Sequence, residues 1–296
     1  MLNYTTTPVQ EINNTILDQA GVRLLVKRED LNHRFVSGNK WWKLKYNLEE
    51  AKRQQKNTLL TFGGAYSNHI FSTAAAARES GFKSIGIIRG EETLPINPTL
   101  QFARECGMHL HYIAREPYRH KQEPAFIQHL HDLFDDFYLI PEGGTNAFAI
   151  SGCAEFAQTE LNLSFDFIMV PVGTGGTMAG IVAGLRGSKT VLGVSTLRGG
   201  DFLMDEVTHL VQKFNGEVYE NWSILTPYHH GGYAKVTKEL LAFMDEMRVT
   251  YNLPLDHVYT GKLLWAVMEE VKNGTFPKGS TVLALHTGGL QTGLLS

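Results

Sequence analysis

A glycine-rich loop that follows a predicted strand is the sharpest candidate for chemistry. The segment from Val170 to Thr177, VPVGTGGT, runs from the strand through the loop into a stretch of helical period. Free N–H groups and the dipole at the start of such a helix attract an anion. The loop is neither a dinucleotide fingerprint, because Met178 replaces the third glycine, nor a Walker loop, because no Gly-Lys-Ser/Thr closes it. A monophosphate ester held by the loop and by the hydroxyls of Thr174 and Thr177 fits best, and a structural turn is the alternative.

Two lysines stand one turn apart at the start of a second predicted helix. Lys40 and Lys43 follow Ser37-Gly-Asn39, with Asn39 as the candidate N-cap. Like charges at the positive end of a helix cost energy, so one lysine is neutral or an anion lies beside the pair. A neutral, partly buried lysine is what a Schiff-base nucleophile requires, and a cofactor with an aldehyde and a phosphate would meet both conditions. Two solvated lysines are the alternative.

A third segment also ends a predicted strand and opens a helix, here over Ile70–Glu79. It contains Gly63-Gly64 followed by Ser67 and Asn68. Either Ser67 or Asn68 is an N-cap, worth about 1 kcal/mol, or the segment is a second anion site for a substrate carboxylate, with Asn68 free to bond a ring oxygen. Hydroxyl groups also stand beside glycine in three later segments, Gly231-Gly-Tyr233, Tyr259-Thr-Gly-Lys262 and His286-Thr-Gly-Gly289.

The elements that must position these residues alternate between short β-rich runs and stretches of helical period. Such alternation is typical of parallel sheets covered by helices. Strands are predicted at Arg23–Lys27, Thr58–Phe62, Ser84–Arg89, Leu110–Ile113, Phe137–Ile140, Phe167–Val172, Thr190–Val194 and Thr281–Leu285. One helix is predicted over Met178–Leu185 with Gly187 as its stop, and another buries the face of Trp41, Leu44, Leu48 and Ala51. Most glycine pairs follow predicted strands, where open α/β sheets bind ligands, so we expect one composite site.

Composition excludes several classes of function. The chain has 296 residues, about two domains by length, and a net charge of −3, so its overall field does not draw it to nucleic acid or membrane. Two cysteines, Cys106 and Cys153, are too few for a disulfide framework or a thiolate metal cluster. His109 and His111 share a strand face without completing a metal-ligand set. With no targeting segment or membrane helix in the sequence, we expect a cytoplasmic protein without metal.

Seven segments in chain order resemble one known family. They are Thr7-Pro-Val-Gln10, Val26-Lys-Arg-Glu-Asp-Leu31, Ser37-Gly-Asn-Lys40 with Lys43-Leu44, Gly63-Gly64 with Ser67-Asn68, Pro141-Glu-Gly-Gly-Thr-Asn146, Gly173-Thr-Gly-Gly-Thr177 and His286-Thr-Gly-Gly289. The combination resembles the pyridoxal-phosphate enzymes of the tryptophan-synthase-β class (fold type II). Within that class it is most similar to the family of 1-aminocyclopropane-1-carboxylate deaminase and D-cysteine desulfhydrase.

The resemblance implies an architecture and a cofactor. The expected fold is α/β, with two domains of mostly parallel, helix-covered sheets and pyridoxal 5′-phosphate in the cleft between them. The large domain is expected at residues 1–40 and 151–296, and the small one at 41–150. A homodimer acting on a small amino acid is expected, with no nucleic-acid or membrane partner.

The resemblance also implies a role for each candidate residue. Lys40 would bond the cofactor and shuttle the Cα proton. Ser67 would bind the substrate carboxylate or assist proton transfer, and Tyr233 and Tyr259 would flank the substrate. The remaining cofactor contacts would be Lys43, Gly173, Thr174, Gly175, Gly176 and Thr177 at the phosphate, Asn68 at the ring 3′-oxygen and Thr260 at the pyridine nitrogen.

Three departures from the family pattern bear on the reaction. Thr260 stands where the deaminase branch has an acid that protonates the pyridine, which makes ring-opening of a cyclopropane less favourable. Trp41 and Trp42 replace a smaller or cationic pair, and His69 replaces a glutamine. We therefore expect α,β-elimination on a small amino acid such as D-cysteine, giving pyruvate, ammonia and sulfide. Cyclopropane deamination or racemisation is the alternative within the family, and a non-enzymatic binder of a phosphorylated ligand or a nucleotide-dependent enzyme lies outside it.

Overall fold

Ten strands form two separate sheets among residues 2–291, the part of the chain that the computed structural model describes. The strands are β1 Val9–Ile12, β2 Arg23–Lys27, β3 Thr58–Gly64, β4 Lys83–Arg89, β5 Met108–Ile113, β6 Tyr138–Ile140, β7 Phe167–Val172, β8 Thr190–Ser195, β9 Trp222–Leu225 and β10 Thr281–Leu285. The helices are α1 Thr15–Ala20, α2 Asn39–Arg53, α3 Asn68–Ser80, α4 Pro98–Glu105, α5 Arg115–Tyr118, α6 Pro124–Phe134, α7 Ala147–Thr159, α8 Gly176–Leu185, α9 Leu203–Asn215, α10 Lys238–Tyr251 and α11 Thr260–Lys272.

The two sheets are almost entirely parallel, which confirms the predicted fold class. The larger has the strand order β1-β2-β10-β7-β8-β9, and only the pairing of β1 with β2 is antiparallel. The smaller has the order β5-β4-β3-β6 with every pairing parallel. Its four strands all lie within residues 41–150, and the six of the larger sheet lie outside that range. The domain boundaries themselves stay predictions.

All eight predicted strands are present, and two further strands escaped prediction. The missed strands, β1 and β9, lie at the two edges of the larger sheet. An edge strand is paired on one side only, and neither strand has the continuous buried run that marks a central strand: only Ile12 of β1 is buried, and all four residues of β9 are half-buried. Their sequences therefore carry a weak strand signal.

The helix expectations need two corrections. The predicted face of α2, formed by Trp41, Leu44, Leu48 and Ala51, is buried as expected. Asn39 is the first residue of the helix and not its cap, because Gly38 takes the cap position with φ +66°. Helix α8 ends at Leu185, and the left-handed residue Arg186 caps it before the predicted stop at Gly187.

Three glycines let α2, α7 and α8 pack with their backbones almost in contact. A Cβ added to Gly152 of α7 would lie 1.9 Å from the carbonyl oxygen of Trp42. A Cβ on Gly180 would lie 2.3 Å from the Cβ of Cys153, and one on Gly184 would lie 2.5 Å from the carbonyl oxygen of Ala154. This close packing fixes the starts of α2 and α8 relative to each other.

No helix among residues 2–291 has both the length and the apolar character that crossing a bilayer would require.

Replacement of Gly152 by alanine tests this packing. The added methyl group cannot fit against the Trp42 carbonyl, so α2 and α7 must separate. We expect the G152A variant to lose about 1–3 kcal/mol of its free energy of unfolding, measured by urea denaturation. The neighbouring S151A variant is the control and should stay within about 0.5 kcal/mol of the wild type. Equal stability of the two variants would contradict the close approach of the helices.

Candidate active site

The starts of three helices and one loop meet at a single place. Asn39, at the start of α2, donates from its side-chain nitrogen to Thr177 Oγ1 of α8 at 2.8 Å. Lys43 of α2 donates to the carbonyl oxygen of Gly143 in the loop after β6 at 2.7 Å. The same loop meets α3, since a Cβ on Gly144 would lie 3.0 Å from the His69 ring. Most of the residues singled out in the sequence therefore come together here.

The glycine-rich loop has the shape that its sequence predicts. Gly175, with φ +78°, precedes α8, whose first N–H groups face out of the helix end. A Cβ on Gly176 would lie 2.8 Å from Thr145 Oγ1, and Thr145 Oγ1 lies 2.7 Å from Thr174 Oγ1. Sequence analysis placed Thr145 in the Pro141–Asn146 segment without giving it a role, and the structure shows that its hydroxyl links the loop after β6 to the glycine-rich loop. Bare backbone and two hydroxyls thus line the start of α8.

The two lysines are both desolvated, and they differ in how their charge is satisfied. Lys43 is buried and donates to the Gly143 carbonyl at 2.7 Å and to Thr145 Oγ1 at 3.1 Å, and burial lowers its pKa to about 8. Within residues 2–291, Lys40 donates only to Asn39 Oδ1, at 3.0 Å. Burial and the Lys43 charge lower the pKa of Lys40 to about 7. Lys40 therefore supplies a neutral amine near neutral pH, as a nucleophile requires.

Ser67 and Asn68 stand at the start of α3, and Ser67 is its N-cap. The Ser67 hydroxyl oxygen accepts from the backbone N–H groups of His69 and Ile70 at 3.2 and 3.3 Å, which leaves its own proton as a donor. Asn68 accepts through Oδ1 from the Gln291 side chain, so its NH₂ group is the end that can serve a ligand. That nitrogen lies 2.8 Å from the position of a Cβ on Gly289. Only glycine leaves room for Asn68 there.

Tyr233 and Tyr259 form a pair at the same site. Their ring centroids are 6.2 Å apart in an edge-to-face arrangement, and a Cβ on Gly173 would lie 3.1 Å from the Tyr259 ring. Burial and Tyr233 hold the pKa of the Tyr259 hydroxyl well above its usual range, so Tyr259 is protonated. Lys262, which is completely buried, donates to the carbonyl oxygen of Gly232 at 2.7 Å and so anchors the loop that carries Tyr233. Sequence reasoning assigned Lys262 no role.

The side chain of Asp256 lies directly behind Thr260 and contacts its hydroxyl group. The Thr260 hydroxyl donates to Asp256 Oδ1 at 2.8 Å, and Asp256 Oδ2 accepts from the N–H groups of Val258 and Tyr259 at 2.9 and 3.0 Å. Sequence reasoning missed this carboxylate. An aspartate that stands before a helix start is a recognisable capping signal, so the position could have been found.

The structure also places the two cysteines and the His109–His111 pair, the residues weighed in the sequence as metal ligands. Cys153 is buried close to both lysines, and burial raises the pKa of its thiol to about 11. Both cysteines are unpaired. The rings of His109 and His111 pack edge-on against Phe134. Among residues 2–291, no group of three His, Cys, Asp or Glu side chains is arranged to hold a metal ion.

Comparison with known proteins agrees with the resemblance carried by the motifs. Residues 1–288 match the family described as pyridoxal-phosphate dependent enzyme. A putative 1-aminocyclopropane-1-carboxylate deaminase of Pyrococcus abyssi is 31% identical over 96% of this chain and 89% of its own. A mitochondrial protein of Arabidopsis thaliana, named bifunctional D-cysteine desulfhydrase/1-aminocyclopropane-1-carboxylate deaminase, is 32% identical over 98% of this chain and 77% of its own. The crystal structure of an ACC deaminase homologue superposes with a TM-score of 0.85 and 27% identity, covering 100% of this chain and 94% of the other.

The burial of Lys40 predicts a specific dependence of stability on pH. In the unfolded chain its pKa returns to about 10.5, against about 7 in the folded protein. Between these values the unfolded chain binds a proton that the folded one does not, so the Lys40 contribution makes the free energy of unfolding rise with pH. Both proteins are studied without cofactor by urea denaturation. We expect the free energy of unfolding to rise less between pH 7 and pH 10 in K40M than in the wild type. K52M, which removes an exposed lysine of the same helix, should keep the wild-type slope, and a wild-type slope in K40M would refute the desolvation.

The anchoring of the Tyr233 loop by Lys262 can be tested by hydrogen exchange. In K262M the Gly232 carbonyl loses its donor, so we expect the amides of residues 229–236 to exchange about ten-fold faster, because a lost bond to a charged donor favours local opening. The intact folded protein is exposed to deuterated water, the reaction is quenched, and peptides that cover residues 229–236 are analysed by mass spectrometry. K235M removes an exposed lysine from the same loop and should leave exchange unchanged. Equal protection in K262M and K235M would show that Lys262 does not hold the loop.

Proposed function

Because the chain belongs to the family of pyridoxal-phosphate-dependent enzymes, we propose that it catalyses α,β-elimination on a small amino acid. D-cysteine is the first candidate, and its products would be pyruvate, ammonia and hydrogen sulfide. The observation that carries the proposal is Lys40, an amine with a pKa of about 7 that bonds Asn39, which in turn bonds Thr177 at the start of α8. The Arabidopsis relative, whose name includes D-cysteine desulfhydrase, supports this substrate.

The residues at the site fit pyridoxal phosphate. An aldehyde needs a neutral amine, and Lys40 supplies one near neutral pH. A phosphate needs N–H groups and positive charge, and both are present at the glycine-rich loop, in the backbone of Gly173–Thr177 and in the neighbouring Lys43 ammonium. We propose that these residues hold the two ends of the cofactor. When bound, the cofactor withdraws electrons from the Cα–H bond of an attached amino acid.

The protein groups around the cofactor would then orient the substrate and move its proton. Lys40, as a neutral amine, accepts the Cα proton at Nζ. Ser67 donates its free proton to the substrate carboxylate, which also faces the positive end of the α3 dipole. Asn68 offers its NH₂ group to the ring 3′-oxygen. Tyr233 and Tyr259 flank the substrate as protonated phenols, because desolvation raises the pKa of both.

Deamination of 1-aminocyclopropane-1-carboxylate is the second candidate. Elimination needs only a broken Cα–H bond and a good leaving group, whereas ring-opening needs stronger electron withdrawal at the pyridine. The hydroxyl of Thr260 provides less of this than an acid would, which favours elimination. The carboxylate of Asp256 behind it, 2.8 Å away, favours the deaminase alternative, as does the name of the Pyrococcus relative. Racemisation has no specific observation in its favour.

We also propose a homodimer of two-domain subunits that acts in the cytoplasm. The cofactor would lie between domains formed by residues 1–40 with 151–296 and by residues 41–150. A groove of about 580 Å³ is lined by Tyr46, Phe148 and Phe214 on α2, α7 and α9, and the exposed Phe202 and Met204 lie at the start of α9. Polar side chains, Glu155 and Arg186 among them, line the same groove, and we propose this mixed face as the surface of self-association. The two unpaired, buried cysteines are compatible with a reducing compartment.

Product analysis separates the candidate reactions. The purified holoenzyme is incubated with D-cysteine, L-cysteine and 1-aminocyclopropane-1-carboxylate, and pyruvate, sulfide and 2-oxobutyrate are measured. We expect pyruvate and sulfide from D-cysteine, with activity lowered about a thousand-fold or more in K40A, because no other group replaces the amine. K52A is the control and should retain activity. Formation of 2-oxobutyrate alone would favour the deaminase, and full turnover in K40A would rule out the proposed role of Lys40.

A further inference from the structure

Arg89 ends β4 at the edge of the smaller sheet from which the site loops leave. Its Cα pairs with that of Gly64, the last residue of the parallel strand β3. The chain turns directly after Gly64, because the Ser67 N–H donates to the Gly64 carbonyl oxygen at 3.1 Å. Ser67, the residue proposed to bind the substrate carboxylate, therefore lies within one tight turn of the position beside Arg89.

The side chain of Arg89 extends over the space that Gly64 leaves open. Its Nη2 lies 3.5 Å from the position of a Cβ on Gly64, and paired residues of neighbouring parallel strands project to the same face of the sheet. A larger side chain at position 64 would compete with the guanidinium group for this space. The glycine therefore brings a positive charge next to the turn that carries Ser67.

Tyr118 provides a second support for the guanidinium group. The guanidinium carbon lies 5.9 Å from the centre of the Tyr118 ring, within the range of a cation–π contact. Tyr118 is 2% exposed, and its hydroxyl donates to Glu142 Oε1 at 2.9 Å. Glu142 directly precedes Gly143, whose carbonyl oxygen accepts from Lys43. A chain of contacts thus connects Arg89 to both loops of the site, the one after β3 and the one after β6.

The hydrogen-bond donors of Arg89 are unused in the protein itself. Between residues 2 and 291 its guanidinium group makes no hydrogen bond or ion pair, and the side chain is exposed, so a ligand can reach it. A contact with a ring face uses none of the five N–H groups. Two nearby carboxylates are already paired, Glu92 with Arg104 at 3.1 Å and Glu142 with Lys121 at 3.1 Å. Arg89 therefore offers an anion a permanent positive charge and a set of donors.

The charge of Arg89 also acts on Tyr233, one of the two phenols proposed to flank the substrate. Desolvation raises the pKa of the Tyr233 hydroxyl, and the positive charge of Arg89 opposes that rise. Electrostatic interactions weaken with distance and with screening by water. The contact at Gly64 and this effect on Tyr233 together support a position of the guanidinium group next to the substrate.

We propose that Arg89 determines substrate specificity by binding a negative charge on the β-substituent of the amino acid. The inference rests on the proposed function and deepens it, because it names a substrate class: small amino acids whose leaving group is anionic, such as a phosphate ester or a sulfonate. Ser67 and Arg89 then hold the two negative ends of one substrate. The Cα atoms at the two ends of the turn after β3 are less than about 7 Å apart, a span that suits a small amino acid.

For D-cysteine the same contact acts on the charge that develops during elimination. The Cα–H bond breaks and its proton goes to Lys40 Nζ, its electron pair forms the second Cα–Cβ bond, and the Cβ–S bond breaks with both electrons on sulfur. Sulfide therefore leaves as the anion HS⁻, which the Arg89 N–H groups stabilise. An anionic β-substituent binds more tightly than the cysteine thiol, because its charge is present before the reaction.

Aspartate and asparagine separate the effect of charge from that of shape. Their side chains are of equal size and differ by one negative charge, and neither carries a group on Cβ that elimination would release. Both enantiomers of each amino acid are titrated into the purified holoenzyme, and the absorbance of the bound cofactor reports binding. We expect aspartate to bind about ten-fold more tightly than asparagine, because a hydrogen bond between two charged groups is stronger than one to a neutral amide.

Three variants test whether the preference comes from Arg89. R89M removes the charge and the donors and keeps the length of the side chain, and we expect the ratio of the two dissociation constants to fall to about one. R89Q removes the charge and keeps a polar end, and the same fall is expected there if R89M does not fold. K83M is the control, because it removes an exposed lysine at the opposite end of β4, about 20 Å away, and it should keep the wild-type ratio.

The outcomes separate this inference from the proposed function. A wild type that binds neither amino acid or binds both equally, a preference kept in R89M or R89Q, or equal losses in R89M and K83M would overturn the inference. Borohydride reduction of the holoenzyme tests the proposed function. Modification at Lys40 supports that function, and modification elsewhere would overturn both. Modification at Lys40 without a preference for aspartate would overturn the inference alone.

Discussion

The burial of two like charges one helical turn apart is the constraint on which this site depends. Lys40 and Lys43 stand at the positive end of α2, where the first turn carries no acidic residue and desolvation disfavours the charged form of both. The fold satisfies Lys43 with oxygens of Gly143 and Thr145, which belong to the loop after β6. In the part of the chain that the structure describes, Lys40 has a single acceptor, the Asn39 side-chain amide. Burial lowers the pKa of both lysines, and the Lys43 charge lowers that of Lys40 further, so Lys40 is the one that more readily becomes a neutral amine.

Close approach of backbones makes that burial possible. At Gly38 a Cβ would lie 1.9 Å from the carbonyl oxygen of Thr287, so the turn into α2 rests directly on the loop after β10. Gly152 brings α7 equally close to α2, and Gly176 brings the start of α8 against Thr145. Any side chain at these points would push the elements apart. Many of the 29 glycines therefore shape one polar site, beyond forming turns.

Local sequence signals predicted eight of the ten strands and the residues expected to contact the cofactor. They gave no role to the residues that support those side chains. Central strands such as β7 show as continuous apolar runs, and the glycine-rich loop shows as a strand followed by a helix start. Thr145 and Lys262 act through contacts with residues 29 or more positions away in the chain, Thr174 for the one and Gly232 for the other. Periodicity carries no information about such pairs, because it reports only which face of an element is buried.

Asp256 changes how the threonine at position 260 should be understood. A hydroxyl in place of an acid suggests a weakly supported pyridine nitrogen. In this protein the Thr260 hydroxyl donates its proton to Asp256 Oδ1 and accepts from the Asp256 backbone N–H, both at 2.8 Å, which leaves one lone pair. Such an oxygen can accept a hydrogen bond and has no proton to give. A ring nitrogen facing it would gain from carrying its own proton, and the carboxylate behind the hydroxyl would strengthen that bond by polarising it. The electron withdrawal available at this site therefore lies between that of a plain hydroxyl and that of an acid, which favours elimination of a good leaving group over the opening of a carbon ring.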